Sequence, residues 1–387
     1  MPALQVKTTI MNLCIIGGGI AGLTTAMALQ QLGIPYTLFE SAPEIKAVGA
    51  GLVLAANAIK GLQKLNISDT IIEAGRVLDA FTIYDDKGRV ITHTDCKALN
   101  AQYGINNFSI HRAVLHHLLY AQLDSSHIVL NKKAVSVTQN SNGVTVTFSD
   151  GTTHATDYLL VADGIHSRIR QQLLPQSTPR YAGYSCWRAV VSNSDLQLEE
   201  TTETWGTAGR FGVAPLANNK IYWFACLSGP ADSATFRQYT TDDLLKHFGH
   251  FHHPIPQLIQ TTTNDQLLWN DIFDIKPISQ YAFDRILLIG DAAHATTPNM
   301  GQGACQAIED AVILKQELAH QSVEQAFKAY EKRRLKRTHY VINQSRLFGQ
   351  IAHIENRPLA ALRNALLRLI PQRINQLQLQ KIYTTDF

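Results

Sequence analysis

The feature of this sequence that most constrains its fold is a glycine pattern placed between an apolar run and a helical pattern. Residues 12–16 form a short apolar run typical of a buried parallel strand, and residues 20–32 follow with the pattern of a helix. Between them lie Gly17, Gly19 and Gly22, in the spacing G-x-G-x-x-G. The first glycine allows a tight turn, the second lets a diphosphate approach the backbone amides, and the third lets the helix pack closely on the strand. This arrangement predicts a Rossmann-like unit that binds a dinucleotide at the N-terminus of its first helix.

A second apolar run, residues 36–39, completes a strand–helix–strand unit and is followed by Glu40, eighteen residues beyond Gly22. A carboxylate at this place accepts hydrogen bonds from ribose hydroxyls and repels a 2′-phosphate. The pattern by itself does not distinguish FAD from NAD, so both remain open at this point.

Length and charge limit the classes of protein that fit. A chain of 387 residues exceeds the roughly 250–300 residues at which single cores stop growing, so we expect two cores. The balance of 34 basic and 31 acidic residues gives a formal charge of +3, and no basic run is interleaved with aromatic residues, so a nucleic-acid partner is not expected. The densest basic stretch, residues 331–337, is predicted to be a solvated helix face.

Cysteines, histidines and apolar stretches argue against several other classes. Five cysteines without a C-x-x-C pair argue against a disulfide framework and against a zinc site. His252 and His253 have no further ligands at metal spacing and predict a loop, so no metal is expected. The first residues lack the features of a signal peptide and no apolar stretch is long enough to span a membrane, which predicts a cytoplasmic protein. Residues 359–379 are amphipathic, and we expect them to pack along the nucleotide-binding domain, although such a stretch could also touch a membrane.

The remaining periodicity predicts a discontinuous first domain interrupted by a second sheet. In order, the patterns indicate a β-hairpin, a meander that returns to a buried strand, an aromatic-rich antiparallel sheet, another buried strand and a helix, at residues 81–92, 135–161, 181–274, 285–289 and 303–318.

Two of these buried strands end in an acidic turn. Residues 157–161 lead to Asp163 and Gly164, and residues 286–289 lead to Gly290 and Asp291. The second turn is followed by the segment Pro298-Asn299-Met300-Gly301-Gln302-Gly303, which opens the predicted helix. A lone strand-ending turn of this kind has a purely structural explanation, but three motifs in this order do not.

With these motifs in order from about Asn12 to Glu331, the sequence resembles the class A flavoprotein aromatic hydroxylases, the para-hydroxybenzoate hydroxylase-like family. Residues 181–188 and 209–212 look most like the subgroup of zeaxanthin epoxidase-like, urate hydroxylase-like and salicylate hydroxylase-like enzymes. The resemblance implies an α/β fold: a Rossmann-like FAD-binding domain of the glutathione reductase type, an inserted mainly antiparallel β substrate domain, and a C-terminal helical segment.

The domain boundaries that follow from this resemblance are an FAD-binding domain at 1–75, 100–178 and 280–350, a substrate-binding sheet at 76–99 and 179–279, and C-terminal helices at 351–387.

The glycine pattern and the resemblance together predict the residues that contact FAD: Gly17, Gly19, Ile20, Ala21, Gly22, Glu40, Arg112, Asp163, Gly290, Asp291, Pro298, Gly301, Gly303 and Ala304. In the family an arginine at the place of Arg112 lies against the phosphates, Asp291 binds the ribityl chain, and the Asp163 segment serves both FAD and the visiting nicotinamide nucleotide. A helix N-terminus beginning at Gly303 would stabilise the negative charge of a reduced flavin, which is a physical argument independent of the family.

The activity implied by the resemblance is that of a monooxygenase. NADH or NADPH reduces FAD, O₂ adds to the reduced ring, and a flavin C4a-hydroperoxide transfers one oxygen atom to a small aromatic or heteroaromatic substrate. A dehydrogenase, reductase or epoxidase on the same fold is the alternative, and a non-enzymatic nucleotide-binding module would leave the two further motifs unexplained. The protein is expected to act as a monomer or a homodimer.

Four residues are candidates for the chemistry on the substrate. Arg210 and Tyr222 are predicted to orient or polarise an electron-rich aromatic anion, and Arg188 is a weaker candidate on the same grounds. His294 is a candidate proton-transfer group. Each has a structural alternative, because such residues are more often ion-paired, packed in a core or hydrogen-bonded at a turn.

Overall fold

The computed structural model describes residues 11–44, 49–105 and 107–387, without the side chains of residues 372–376 and 378. Residues 1–10, where we expect no signal segment, lie outside this part of the chain.

Within the described ranges the strands, in chain order, are β1 (Leu13–Ile16), β2 (Tyr36–Phe39), β3 (Gly51–Leu54), β4 (Arg76–Val77), β5 (Ala80–Asp85), β6 (Val90–Asp95), β7 (Phe108–His111), β8 (Ile128–Val129), β9 (Ala134–Asn140), β10 (Gly143–Phe148), β11 (Thr153–Thr156), β12 (Tyr158–Val161), β13 (Pro179–Ser192), β14 (Thr201–Gly206), β15 (Gly209–Leu216), β16 (Lys220–Ser228), β17 (Leu268–Ile275), β18 (Ala282–Phe283) and β19 (Ile286–Leu288).

The helices of the same part of the chain are α1 (Ile20–Gln31), α2 (Ala56–Lys64), α3 (Ser68–Glu73), α4 (Cys96–Tyr103), α5 (Arg112–Tyr120), α6 (Arg168–Leu173), α7 (Ala234–Arg237), α8 (Thr241–Phe248), α9 (Ile255–Gln260), α10 (Asp291–His294), α11 (Gly303–Leu318), α12 (Val323–Ala352), α13 (Arg357–Arg368) and α14 (Gln372–Tyr383).

The first sheet explains why the predicted motifs meet. Its strand order is β18-β19-β12-β1-β2-β8, and all pairs are parallel except β18 with β19. Every residue of β1 and β12 is buried, as expected for strands covered on both faces. Because the carboxyl ends of parallel strands lie at one edge of a sheet, Gly17 after β1, Glu40 after β2, Asp163 after β12 and Gly290 after β19 are brought to the same edge.

The second large sheet has seven strands in the order β17-β13-β16-β15-β14-β5-β6, antiparallel throughout except for the parallel pair of β14 and β5. Its core lies between one face of the sheet and helices α8 and α9, where Trp187 and Trp223 are fully buried. Two small three-stranded sheets, β11-β10-β9 and β3-β7-β4, complete the described strands. The predicted fold class is confirmed: a Rossmann-like domain, an inserted and mainly antiparallel sheet, and helices at the C-terminal end.

The basic stretch at residues 331–337 corrects one sequence-based expectation. It lies in α12, but Arg334 is fully buried and pairs with Glu309 and Asp310 of α11, at 2.6 and 2.7 Å. Arg337 pairs with Glu309 as well, at 2.6 Å. The prediction of a solvated helix face was wrong for these residues, because α12 packs along α11 and its arginines neutralise buried carboxylates there.

The C-terminal helices divide between the two large units. Helix α14 packs against α2 of the nucleotide-binding unit, where Ile382 and Tyr383 are buried beside Ala56. Helix α13 packs instead against β6, an edge strand of the seven-stranded sheet, so the prediction for residues 359–379 was wrong for this helix. None of the helices in the described ranges combines the length and apolar content required to cross a bilayer.

Candidate active site

The glycine loop after β1 has the steric requirements predicted for a diphosphate cradle. Gly17 has a φ of +103°, and a Cβ built on it would lie 2.4 Å from the carbonyl oxygen of Ala162. A Cβ on Gly22 would lie 1.8 Å from the carbonyl oxygen of Gly17, so helix and loop touch here without room for a side chain. A Cβ on Gly19 would meet no atom within 4 Å, so the space in front of its backbone is open. Gly17 and Gly22 thus allow the loop to form, and Gly19 leaves its backbone accessible to a ligand.

Glu40 joins the end of β2 to this loop. One carboxylate oxygen accepts from the backbone N–H of Gly18 at 2.6 Å, and the other accepts from the N–H of Ala42 at 2.7 Å. The second oxygen also accepts from the hydroxyl of Ser41 at 2.9 Å, so of the roughly four acceptor positions of a carboxylate about one remains for a sugar hydroxyl, on the oxygen bound by Gly18. A cleft of about 490 Å³ opens beside this carboxylate, and Gly17, Gly19 and Asp163 line it as well.

Asp163 faces the cleft with an unsatisfied atom. Its Oδ1 is buried and has no hydrogen-bond partner among the described residues, and burial raises the pKa of this carboxyl to about 6. A buried acceptor without a partner is rare and is a place where a ligand donor fits. Open amides at Gly19, the acid at the end of β2 and this unpaired oxygen together fit the adenosine diphosphate half of FAD.

Arg170, which sequence reasoning missed, ties the second motif to the third. Its side chain is fully buried, and it donates to the carbonyl oxygens of Ile165 at 2.5 Å and of Ala292 at 3.3 Å. These carbonyls belong to the segments that follow Asp163 and Asp291, so Arg170 fixes their separation.

Gly290 and Asp291 form a turn that is held in place by contacts with α1 and α11. Gly290 has a φ of +57°, and a Cβ on it would lie 2.5 Å from the Cβ of Ala21 in α1. Its backbone N–H donates to Oδ2 of Asp310 in α11 at 2.7 Å. Asp291 itself is exposed to solvent on one side, and desolvation by the surrounding protein raises its pKa against the lowering effects of His294 and Arg112.

The N-terminus of α11 faces open space near β3. A Cβ on Gly303 would meet nothing within 4 Å, and the nearest atom to a Cβ on Gly301 is the carbonyl oxygen of Val53 at 3.7 Å. A sixteen-residue helix begins here, so its first N–H groups are directed toward this space. Bare backbone and a positive helix end fit the electron-rich edge of a flavin. Arg112 is exposed at the start of α5, with its stem against Gly49.

One face of the seven-stranded sheet is turned toward this space, and we call it the substrate face. Trp223 of β16 is buried under the helices on the other side, whereas its neighbours Tyr222 and Phe224 point to the substrate face. Tyr222 reaches the nucleotide-binding unit, because a Cβ on Gly51 would lie 2.6 Å from its ring. Phe224 lies across Gly212, where a Cβ would come within 2.1 Å of the phenyl ring. The two partly exposed aromatic rings form a floor.

Arg210, a predicted substrate residue, lies on the same face as Phe224, with its guanidinium 5.9 Å from the centroid of that ring, and is only 2% exposed. Its Nε is 3.2 Å from Oε1 of Glu203, which also accepts from the indole N–H of Trp205 at 2.9 Å. Nη2 donates to Oδ1 of Asn299 at 2.7 Å. Burial works to lower the pKa of Arg210, but the adjacent Glu203 is the largest of the opposing effects that hold it above its ordinary value. The charge of Arg210 is therefore neutralised within the protein.

Asn299 connects this cluster to the loop before α11. Its Oδ1 also accepts from the hydroxyl of Tyr184 at 2.9 Å, and its Nδ2 donates to the carbonyl oxygen of Ser345 at 2.8 Å. Arg210 thus binds the loop between Pro298 and Gly301 and does not point into the open space.

Arg188 differs from Arg210 in exposure and in pairing. It lies opposite Phe224 in the register of β13 and β16, so both side chains are on the substrate face. It is partly exposed and donates through Nη2 to Oδ1 of Asn270. Its Nε is buried without a partner, and among the residues the structure describes no carboxylate lies within ion-pair distance of it.

His294 does not reach the substrate face. Its ring is 3% exposed, and Nε2 lies 2.7 Å from Oδ2 of Asp310, which Arg334 contacts from the other side through Oδ1. Burial opposes ionisation of Asp310, but His294 and Arg334 hold its pKa at about 2. A catalytic role for His294 stays a prediction, and its contacts are those of a residue that supports the Gly290 turn.

The side chains that sequence reasoning missed are Arg170, Glu203, Asn299 and Asp310. A usable signal existed for Asp310, because Glu309 and Asp310 are an acidic pair inside an otherwise apolar helical pattern.

The similarity of this chain to known proteins extends over both large sheets. The FAD binding domain family matches residues 11–345. Aurachin C monooxygenase/isomerase of Stigmatella aurantiaca is 36% identical over 362 residues, which are 93% of this chain and 94% of that protein. The 2-heptyl-3-hydroxy-4(1H)-quinolone synthase of Pseudomonas aeruginosa is 32% identical over 381 residues, 97% of this chain and 98% of that protein. The crystal structure of Klebsiella pneumoniae HpxO complexed with FAD and uric acid is similar with a TM-score of 0.90 and 29% identity, covering 96% of this chain and 97% of that chain.

Proposed function

The chain belongs to the class A FAD-dependent aromatic hydroxylases and is an FAD-dependent monooxygenase, and on that premise we propose that its substrate is a planar heteroaromatic ring of the 4-quinolone class. In the family reaction one atom of O₂ enters the substrate as a hydroxyl and the other leaves as water, while NAD(P)H and a proton supply the electrons and hydrogen. The predicted monooxygenase activity and the predicted use of FAD, NAD(P)H and O₂ are confirmed by the family.

The names of the relatives support the quinolone class. The Pseudomonas protein is named for a quinolone that carries a hydroxyl at C3 and a heptyl chain at C2. HpxO was crystallised with uric acid, which is also a planar nitrogen heterocycle with ring carbonyls. A flat ring with at least one carbonyl is the feature these two molecules share.

The observation that carries the proposal is the composition of the substrate face. Tyr222 and Phe224 offer a floor of two partly exposed aromatic rings, tilted by 40° to one another, and Arg188 stands beside Phe224 with an unpartnered donor. A heteroaromatic ring stacks on such a floor, since offset aromatic pairs are worth about 0.5–1.5 kcal/mol beyond their area. The guanidinium of Arg188 donates to the ring carbonyl and so orients the ring, with its electron-rich C3 toward the oxygen atom that is transferred.

We assign the other candidates different tasks. Tyr222 orients the ring through its hydroxyl, and Arg210 positions Asn299 and the loop before α11. His294 supports the Gly290 turn through Asp310. Orientation of the substrate through its ring carbonyl thus falls to Arg188, which the sequence ranked below Arg210.

We retain the predicted FAD contacts as a proposal. Gly17, Gly19 and Gly22, with Ile20 and Ala21 at the start of α1, are assigned to the diphosphate, and Glu40 to the ribose. Arg112 and Asp163 flank the diphosphate.

The flavin half of the cofactor is assigned to the third motif, through Gly290, Asp291, Pro298, Gly301, Gly303 and Ala304. When bound, FAD supplies hydride acceptance from NAD(P)H and the activation of O₂. The protein binds and orients the ring and excludes water from it. A monomer or homodimer in the cytoplasm, without a nucleic-acid partner, fits the formal charge of +3.

The test is product formation by the FAD-loaded enzyme under ¹⁸O₂. The substrates are 2-heptyl-4(1H)-quinolone, unsubstituted 4(1H)-quinolone, uric acid and salicylate, each with NADH and with NADPH, and peroxide formed without product is subtracted. We expect a hydroxylated quinolone with one ¹⁸O atom and a near-equal consumption of nicotinamide. If neither quinolone is hydroxylated, the proposed substrate class is wrong, whichever of the other two compounds reacts.

A further inference from the structure

Helix α13 presents an apolar surface that nothing in the described chain covers. Leu359, Leu362, Leu366 and Leu369 are 55, 55, 56 and 77% exposed. Their spacing of three, four and three residues places them in one stripe, which we call the α13 leucine face. Scattered exposed leucines are ordinary, but a contiguous stripe of this kind marks an interaction site.

The orientation of α13 is not the one that would bury the most apolar surface, although Ala360 and Leu367 pack against the protein. The side that faces the protein contains Arg363 and Asn364, which are 6 and 8% exposed. Arg363 donates to the carbonyl oxygens of Ile351 and Ala352, both at 3.0 Å, and its guanidinium lies 5.1 Å from the ring centroid of Trp205. The polar side chains are thus fixed in the interior by specific bonds, and the leucines are held outward by the same bonds.

The C-terminal segment that includes α13 is basic. Between residues 357 and 385 the sequence has no Asp or Glu, and the nearest acid before it is Glu355. The basic residues of this segment are Arg357, Arg363, Arg368, Arg373 and Lys381.

The rim of the leucine face carries an excess of positive charge as well. Arg368 and Arg89 both pair with Asp85, at 3.0 and 2.7 Å, so two cations share one carboxylate. Arg357 is exposed at the start of the helix. An apolar stripe with a basic rim is the pattern of a helix that lies in the surface of an anionic membrane.

We propose that the α13 leucine face docks this enzyme on the surface of an anionic phospholipid bilayer. A second copy of the chain is a poorer occupant. The stripe runs over about 15 Å of a helix that is about 10 Å wide, an area of about 150 Å², which is well below the roughly 800 Å² per partner of a standard interface. At a two-fold interface the basic rim would also face its own copy. Lipid headgroups complement that rim, and the four leucines enter the acyl boundary.

This inference goes beyond the proposed function and does not depend on it. Membrane docking would bring the enzyme to substrates that partition into lipid, such as rings with a long alkyl chain. It also revises the sequence-based expectation of no membrane contact, because that expectation placed these leucines against the protein.

The test is sedimentation of the FAD-loaded enzyme with vesicles, measured without substrate. Vesicles of phosphatidylcholine with about 30% phosphatidylglycerol are compared with vesicles of phosphatidylcholine alone. The test variant is Leu362→Ser combined with Leu366→Ser, and the control is Leu268→Ser, because Leu268 is 36% exposed on β17, the opposite edge strand of the same sheet. Retained flavin absorbance shows that each variant is folded.

We expect the parent and the Leu268→Ser protein to bind anionic vesicles and the double variant to bind at least tenfold more weakly. Binding to phosphatidylcholine alone should be weaker for all three. The proposal is overturned if the parent does not sediment with anionic vesicles, or if the double variant binds as well as the parent. It is also overturned if light scattering shows a parent dimer that the double variant converts to monomers, since a second copy then occupies the face.

Discussion

Glu203 lies against Arg210 on the substrate face, with Oε1 of the carboxylate 3.2 Å from Nε of the guanidinium and both side chains almost fully buried. A buried arginine that is already paired has little charge to offer a substrate. The partly exposed Arg188 has no carboxylate at ion-pair distance in the described part of the chain. The two arginines on this face therefore have different tasks, although the sequence presents them alike.

Replacing Glu203 with glutamine keeps the shape of the side chain and removes the charge that neutralises Arg210. Removal of one partner of a buried pair leaves an uncompensated charge, so we expect the free energy of unfolding to fall by roughly 3–5 kcal/mol. Denaturant unfolding of the parent and Glu203→Gln proteins measures this. Asp232→Asn is the matched control, because its pair with Arg237 is exposed and should contribute almost nothing. Equal losses in the two variants would contradict a buried ionised pair.

Arg188→Gln should impair the reaction without releasing FAD. A hydrogen bond from a charged donor is worth about 1.5–3 kcal/mol, so we expect kcat/KM for the quinolone to fall on the order of 10- to 100-fold. Arg188→Lys should recover part of this loss, because it keeps the charge but not the fork of donors. Steady-state kinetics with product analysis provides the measurement, and Arg237→Gln is the surface control. Parent-like turnover by Arg188→Gln would remove Arg188 from the proposed site.

Rules that involve only neighbouring residues were sufficient to predict the elements that carry the cofactor motifs. The helix predicted at residues 303–318 is α11, Gly303–Leu318, and the helix predicted from residue 20 is α1, Ile20–Gln31. Glycines at tight turns and apolar periodicity are properties of neighbouring residues, so they are visible in one sequence. The convergence of Gly17, Glu40 and Asp163 also followed, because parallel strands end at one edge of a sheet.

Contacts that depend on strand register and on helix packing could not be predicted from the sequence in this way. The proximity of Glu203 to Arg210 follows from the pairing of β14 with β15, in which Trp205 lies opposite Arg210, and a shift of one residue would move the side chains to opposite faces. Arg334 reaches Asp310 only because α12 lies along α11. The α13 leucines were misplaced for a related reason, since periodicity identifies an apolar stripe but not the side that is buried.

Gly19→Ala should separate cofactor binding from folding. The backbone at Gly19 has a φ of −74°, which alanine adopts, and a Cβ would meet nothing within 4 Å. We therefore expect unchanged unfolding of the apoprotein but at least a tenfold weaker affinity for FAD, because the methyl group occupies the approach of the diphosphate. Titration with FAD, followed by the quenching of flavin fluorescence, tests this. Parent-like affinity would mean that the diphosphate binds elsewhere.

Asp163→Asn should change how the stability of the apoprotein depends on pH. Burial raises the pKa of Asp163 to about 6 in the folded state, above its ordinary value of 3.8. A group with a raised folded pKa stabilises the folded state fully below the unfolded pKa, and that contribution is lost as the pH rises through the folded pKa. Parent and variant should therefore be similarly stable below about pH 4, and the variant should be the more stable by roughly 2–3 kcal/mol near pH 7, at 1.36 kcal/mol per pKa unit.

Denaturant unfolding of the two apoproteins at pH 4 and pH 7 measures the difference directly, and effects common to both proteins cancel. A constant difference across this range would show that Asp163 does not carry the raised pKa, and that its unpaired oxygen is not the strained acceptor we assign to the cofactor site.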